Sequence, residues 1–332
     1  MLKTVLVTGG AGYVGHVLTP CLLADGYTVR IYDKLHFGSK LEPHPRLSII
    51  EGDIRDAGRF AEAVKGVDAI LHLACISNDA SFELDERLST TINLDAFEPL
   101  VLAAKAAGVK RFIYASTSSV YGVSDAPDVT EDHPLVPLTL YNKYKGMCEP
   151  VLFRHQSPDF ICTVIRPATV CGYSPRCRLD LSVNILTNHA VNNGKILVFG
   201  GEQKRPNLHI GDMVDAYRLF LTAPSEKIAG EIFNCGYQNL KIAEIAEVVK
   251  RVVEEEFPDK APIAIERTTS DDNRSYHVNS DKIRRVLGFT PRHKIDDAVR
   301  DLCEAFRANL LPHSLADNRY FNVRTMKAAG VQ

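Results

Sequence analysis

The chain has 332 residues, 45% apolar and 24% charged, an ordinary globular composition with ample material for a core. Lys+Arg number 39 and Asp+Glu 41, a net charge of −2, which argues against a nucleic-acid binder that works by bulk charge. No window reaches the roughly 18 apolar residues of a membrane span, and the opening MLKTVLVTGG lacks the three-part pattern of a signal peptide.

The length suits about two domains or one large α/β unit. Eight cysteines, none in a CxxC, offer neither zinc spacing nor a redox motif. Most lie in apolar stretches, so free buried thiols and a cytoplasmic location are expected, with no metal.

Residues 4–9 read as a strand running into glycines. Val14 to Ala24 reads as a helix ended by Asp25-Gly26. Strands follow at 28–33 and 47–53, then a short helix from Arg59 to Val64 and a fourth strand at 67–74. Thr90 to Ala107 reads as a helix closed by Gly108, followed by a strand at 110–117. Leu140 to Arg154 is helical, and 160–167 is a sixth strand. This alternation implies βαβ units and a doubly wound parallel sheet of Rossmann type. Pro20, Pro99 and Pro150 sit inside three of the helices and predict kinks.

After about residue 170, polar loops separate shorter elements. Asp212 to Thr222, Ile242 to Glu256 and Lys294 to Ala308 read as helices. The division is a dinucleotide-binding domain over 1–170, with some later segments returning, and a smaller α/β substrate-binding lobe with a C-terminal tail over 171–332. The tail after Leu311 is expected to pack on the body or on a neighbour.

Gly9-Gly10-Ala11-Gly12-Tyr13-Val14-Gly15 follows the first strand and opens a helix. Glycines there let backbone approach a pyrophosphate, and the helix points its free N–H groups at it. Asp33 ends the second strand, 18 residues after Gly15, where a carboxylate accepts both ribose hydroxyls and repels a 2′-phosphate. That favours NAD over NADP, although Lys34 follows directly. Helix capping is the alternative task for Asp33.

The fifth strand ends in Ala115-Ser116-Thr117-Ser118-Ser119. Tyr141 and Lys145 follow, four apart and so on one helix face. An ammonium and a cationic nicotinamide would lower the phenol's pKa from about 10. Tyr141 then exchanges a proton with a hydroxyl or carbonyl whose oxygen Thr117 holds. Tyr237 and Lys241 repeat the spacing but lack the hydroxyl-bearing strand end, and are read as chance.

With these parts in order, the chain resembles the extended short-chain dehydrogenase/reductase family, in its nucleotide-sugar epimerase, dehydratase and ketoreductase branch. TGGAGYVG, Asp33, GDIRD (52–56), LHLAC (71–75), Asn93, ASTSSVYG, YNKYK, IRPATVCG, KRPNLHIGD and NSDKIRRVLGF carry the resemblance across nearly the whole chain. It implies a cofactor site built from Gly9, Gly12, Tyr13, Val14, Gly15, Asp33, Lys34, Asp53, Ile54, Leu73, Ala74, Cys75, Ser116, Tyr141, Lys145 and Pro167, with Asn93 supporting it from its helix. Thr117, Tyr141 and Lys145 would be catalytic. Thr117, Thr169, Asn184, Arg205 and Arg274 would meet the substrate, the arginines pairing with phosphate. Each arginine equally suits a surface ion pair. A homodimer through the Thr90–Ala107 and Leu140–Arg154 helices is implied as well.

Two departures narrow the reaction. Dehydratases of the family carry Asp-Glu after the catalytic threonine, where this chain has Ser118 and Ser119. The sixth-strand motif has Thr169 in place of the usual asparagine, ahead of an arginine-rich stretch (174–184). The leading expectation is an NAD-dependent nucleotide-sugar 4-epimerase. A 4-keto-sugar reductase or dehydrogenase with exchanging NAD(P)H is the alternative, and a catalytically silent dinucleotide sensor is a third. The nucleotide and the sugar stay open.

Overall fold

The computed structural model describes residues 2–269 and 275–330. Its strands are β1 (Thr4–Thr8), β2 (Thr28–Asp33), β3 (Leu47–Glu51), β4 (Ala69–His72), β5 (Arg111–Ala115), β6 (Ile161–Pro167), β7 (Thr169–Cys171), β8 (Lys195–Phe199), β9 (Lys204–His209), β10 (Glu231–Cys235), β11 (Gln238–Lys241) and β12 (Ala264–Thr268). Seven form one sheet in the order β3-β2-β1-β4-β5-β6-β10, with every neighbouring pair parallel. The apolar runs of its central strands are buried on both faces, as helices on two sides require; Val5, Leu6 and Val7 are wholly inaccessible. Chain order reverses between β1 and β4, which opens a crevice at their C-terminal ends.

Several expected strands stop a residue or two early, because the residues beyond them leave the ladder to line that crevice. The seventh strand, β10, was not singled out from the sequence. It comes from beyond residue 170 and pairs with β6, so the second half of the chain closes the first half's sheet.

Pro20 and Pro150 interrupt nothing: continuous helices run over Tyr13–Ala24 and Leu140–Phe153. The expected helix Thr90–Ala107 is corrected. It is a helix over Glu86–Thr90, a π turn over Thr91–Asp95 and a helix over Phe97–Ala106. Pro99 supplies no N–H to the preceding turn, and the backbone changes register there, with the Ala96 N–H reaching back to Thr91 O at 3.1 Å.

The smaller lobe carries the sheet β11-β9-β7 and the pair β12-β8. Three helices, Ser182–Asn193, Ile242–Glu256 and Ile295–Arg307, bury one apolar face each against the others. The first was missed, although Val183, Leu186, Ala190 and Val191 have helical spacing. Tyr237 precedes β11, which Lys241 ends, so that YxxxK pair shares no helix face. The tail packs on the body, with Tyr320 and Phe321 against Leu179, Leu302 and Leu311. All eight cysteines are free, six of them buried. Among the described residues no helix is long and apolar enough to cross a membrane.

Candidate active site

The crevice is a cavity of about 410 Å³, floored by the glycine turn. Gly9 has φ +69°, and a Cβ on it would lie 2.7 Å from the Ala74 nitrogen. A Cβ on Gly15 would lie 2.1 Å from Gly10 O, so only glycine lets the helix Tyr13–Ala24 settle against the turn that precedes it. This cradle of bare backbone, opening onto a helix N-terminus, fits a dinucleotide diphosphate.

Asp33 lines the same cavity. Its carboxylate accepts the Ala11 N–H at 2.9 Å and the Leu35 N–H at 2.8 Å, so it also braces the glycine turn. Lys34 turns to Asp53 at 3.3 Å. Burial would raise the Asp53 carboxyl; hydrogen bonds from Arg55 and Lys34 outweigh it and hold the group at about 2. Ile54, Leu73, Ala74 and Cys75 continue the wall, and Pro167 and Thr169 lie across from them.

Asn93 does not itself line the cavity. It sits in the π turn behind the wall and exchanges two 2.9 Å hydrogen bonds with the backbone of Ile76, fixing the strand end that bears Cys75.

Thr117, Tyr141 and Lys145 all line the cavity, together with Ser116. Thr139 caps the helix that carries Tyr141 and Lys145, accepting the Asn142 N–H. Lys145 is buried, and its Nζ donates to Ala115 O at 2.6 Å. Ser119 Oγ lies 2.8 Å from Thr117 Oγ1 and donates to Asn142 Oδ1 at 2.5 Å, so a chain of neutral groups orients the threonine.

Beneath them Arg166 and Glu149, each with a side chain 3% exposed, pair at 2.6 Å. Glu149 also accepts from Ser116 Oγ at 2.6 Å. The pair thereby ties the helix Leu140–Phe153 to the ends of β5 and β6. Arg166 stood in the IRPATVCG motif, but its buried partner had no signal in the sequence.

Burial pushes the Tyr141 phenol well above its usual value, helped by nearby Cys75 and Asp79 and opposed by Arg178. The expected lowering by Lys145 is therefore not the dominant effect in the protein alone.

The expected substrate residues fare unevenly. Asn184 is wholly buried and does not reach the cavity. Its amide accepts the Gly172 N–H at 3.0 Å and donates to Arg178 O at 2.8 Å and to the Tyr13 hydroxyl at 3.2 Å. Arg205 stands one layer back, its guanidinium 5.2 Å from the ring centre of Tyr276, which does line the cavity. Arg274 lies outside the described residues. The cavity instead takes Arg176 and Arg178 from the SPRCRLD stretch, with Ser77, Asn322 and Met326, none of which was expected.

His209, Asp212 and His293 bring potential metal-ligand atoms within 4.8 Å of one another. Those atoms already serve hydrogen bonds: Asp212 accepts the backbone N–H groups of Arg292 and His293, and His209 Nε2 pairs with Asp301 at 2.9 Å. The cluster joins the lobe's helices.

A doubly wound sheet with a glycine turn at its switch point defines a Rossmann-type dinucleotide protein. Residues 5–236 match the NAD dependent epimerase/dehydratase family, and the chain belongs to that family. It is thus an NAD-dependent enzyme of the extended short-chain dehydrogenase/reductase type. A UDP-glucose 4-epimerase of Lactobacillus helveticus is 28% identical over 318 residues, 89% of this chain and 94% of the relative. A dTDP-glucose 4,6-dehydratase of Actinoplanes is also 28% identical, over 92% of this chain and 98% of the relative. The solved structure of MoeE5 in complex with UDP-glucuronic acid and NAD superposes with a TM-score of 0.80 at 25% identity, covering 92% of this chain and all of the other. Epimerase and dehydratase relatives stand equally near, so the reaction must be argued from the site.

Proposed function

We propose that the chain is an NAD-dependent nucleotide-sugar 4-epimerase. One observation carries the reading: Thr117 and Tyr141 face a single cavity above buried Lys145, and the two residues after Thr117 are neutral serines. Elimination of water needs an acid and a base beside the sugar; Ser118 and Ser119 supply neither near neutral pH.

The glycine turn would hold the diphosphate and Asp33 the adenosine ribose. Bound NAD supplies a hydride acceptor and, after the 4-keto sugar turns over, the donor. Thr117 hydrogen-bonds the C4 oxygen. Tyr141 would take the proton from that oxygen and return it once the sugar presents its other face. Lys145 stabilises the phenolate.

Exposed Leu102 and Met147 lie on the helices Phe97–Ala106 and Leu140–Phe153 and support a homodimer through those helices. A monomer by light scattering at micromolar concentration would sink that part. The free thiols suit a cytoplasmic location.

The reaction is tested by incubating purified protein with UDP-, dTDP-, GDP- and CDP-hexoses, with no added cofactor, in deuterated buffer. Appearance of the 4-epimer without deuterium at C4 is the expected outcome. Consumption of added NADPH by a 4-keto sugar, with no epimer formed, would replace epimerisation by reduction. That second reading draws support from the arginine-rich segment that walls the cavity.

A further inference from the structure

Arg176 has less done for it than any other buried cation lining the cavity. It is 7% exposed, yet its Nε and Nη1 have no hydrogen-bond partner among the described residues. Nη2 alone is used, donating to Asn322 Oδ1 at 2.6 Å. Neighbouring Arg178 is satisfied by Asp180 at 2.9 Å and by Ser77. A buried guanidinium with two idle donors is costly unless an anion meets it. Burial, then repulsion from Arg178, lowers its pKa to about 10, which leaves it charged at neutral pH.

Its location says which anion. Ser174 Oγ donates to Tyr13 O at 2.7 Å, and the Tyr13 hydroxyl donates to Gly172 O at 2.6 Å, so the segment is pinned over the start of the glycine-turn helix. The guanidinium lies 3.8 Å from the ring centre of Phe37, four residues past Asp33. An idle buried arginine and a helix N-terminus thus converge on one space.

We propose that Arg176 clamps a diphosphate in this cavity, that of the bound dinucleotide, and that the C-terminal helix Asn322–Ala329 sets the clamp through Asn322. The inference rests on the NAD reading above. Asn322 is itself fixed twice, its backbone N–H on Asp180 at 3.0 Å and its amide on Ser77 at 3.0 Å. The tail thus bears on the cofactor through Asn322, beside Met326 which also lines the cavity, and cofactor retention becomes a property of the whole chain. A 4-epimerase needs such retention, because its cofactor is regenerated in place.

The test compares full-length wild type with Arg176→Met, Arg176→Lys and Asn322→Ala. The readouts are NAD released per chain on denaturation and the dissociation rate of NADH followed by fluorescence. Arg176→Met should release the dinucleotide about 30-fold faster or more, and Asn322→Ala about 3- to 10-fold faster. Arg176→Lys should fall between wild type and Arg176→Met. ADP-ribose, which keeps the diphosphate, should weaken in parallel with NADH, whereas adenosine should bind all variants alike. Unchanged dissociation in Arg176→Met overturns the proposal. So does a raised KM for the sugar nucleotide with NADH binding intact, which would assign the arginine to the substrate's diphosphate. A wild type that binds no dinucleotide would instead refute the cofactor reading. If Arg176→Met fails to fold by circular dichroism, the Lys and Asn322 variants decide.

Discussion

The half that carries most of the large sheet and the smaller lobe build the two sides of one cavity by different means. In the first half the site residues sit at or just past the ends of successive strands: Gly9 after β1, Asp33 at the end of β2, Leu73 after β4, Thr117 after β5 and Pro167 at the end of β6. Parallel pairing aligns those ends, so chain order alone brings them together. In the lobe the cavity residues depend on partners far along the chain. Arg176 is held by Asn322, 146 residues away, and Arg178, paired locally with Asp180, also reaches Ser77, 101 residues away. A strand-end site can be read one element at a time, whereas a site made by loops packing over the sheet cannot.

The sharpest break in this comparison is Tyr141→Phe. It should lower kcat about 10³-fold or more while NAD content stays at the wild-type level, because only the proton-transferring oxygen is lost. Full turnover in that variant would return the chain to the sensor reading.

Asn184→Ala tests whether the lobe's buried amide is structural. Removing it strands the Gly172 N–H and the Arg178 carbonyl, takes one of two partners from the Tyr13 hydroxyl, and should cost about 2–3 kcal/mol of stability. The KM for sugar nucleotide should hold within about 2-fold. A raised KM in a fully stable variant would restore Asn184 to the substrate.

The first half has its own weak point in His72. Burial, then the nearby Lys145 charge, pushes this imidazole down to about 3, from the ordinary value of about 6.5. The unfolded chain binds this proton below pH 6.5, and the native protein does not until about pH 3. Stability from this group is full above pH 6.5 and falls as the pH drops. Between pH 7 and 5 the loss should be about 2 kcal/mol. Chemical denaturation across that range should be flatter in His72→Gln; an identical acid slope would put the loss elsewhere.

The smallest effect is expected at Arg205. Standing behind Tyr276, it acts on the cavity through that ring, and Arg205→Ala should raise the substrate KM only a few-fold. A rise of 100-fold would mean direct phosphate contact and would narrow the gap between the two regions.

The glycine turn, Asp33, the hydroxyl-bearing strand end and the Tyr141/Lys145 pair were legible in the sequence because each is a local pattern on one element. The πtype register change at Asn93 was not, since it reflects how Pro99 meets the preceding turn. Nor was the Arg166–Glu149 pair beneath the site, because Ser116, Glu149 and Arg166 meet only once β5, β6 and the catalytic helix are packed. The stretch from Ser174 to Asn184 drew attention for its arginines. Which of its residues would face the cavity depended on Tyr13 pinning Gly172 and Ser174, a contact spanning about 160 residues.

By itself the sequence determined the doubly wound sheet, the glycine turn and the placing of Tyr141 and Lys145 on one helix face, because hydrophobic period, glycine spacing and helix spacing act over a few residues. Tertiary structure alone decided that Arg176 rather than Asn184 looks into the cavity, that β10 completes the sheet, and that the tail reaches the site. Those outcomes follow from burying polar groups with satisfied partners, and such partners are found across the whole folded chain.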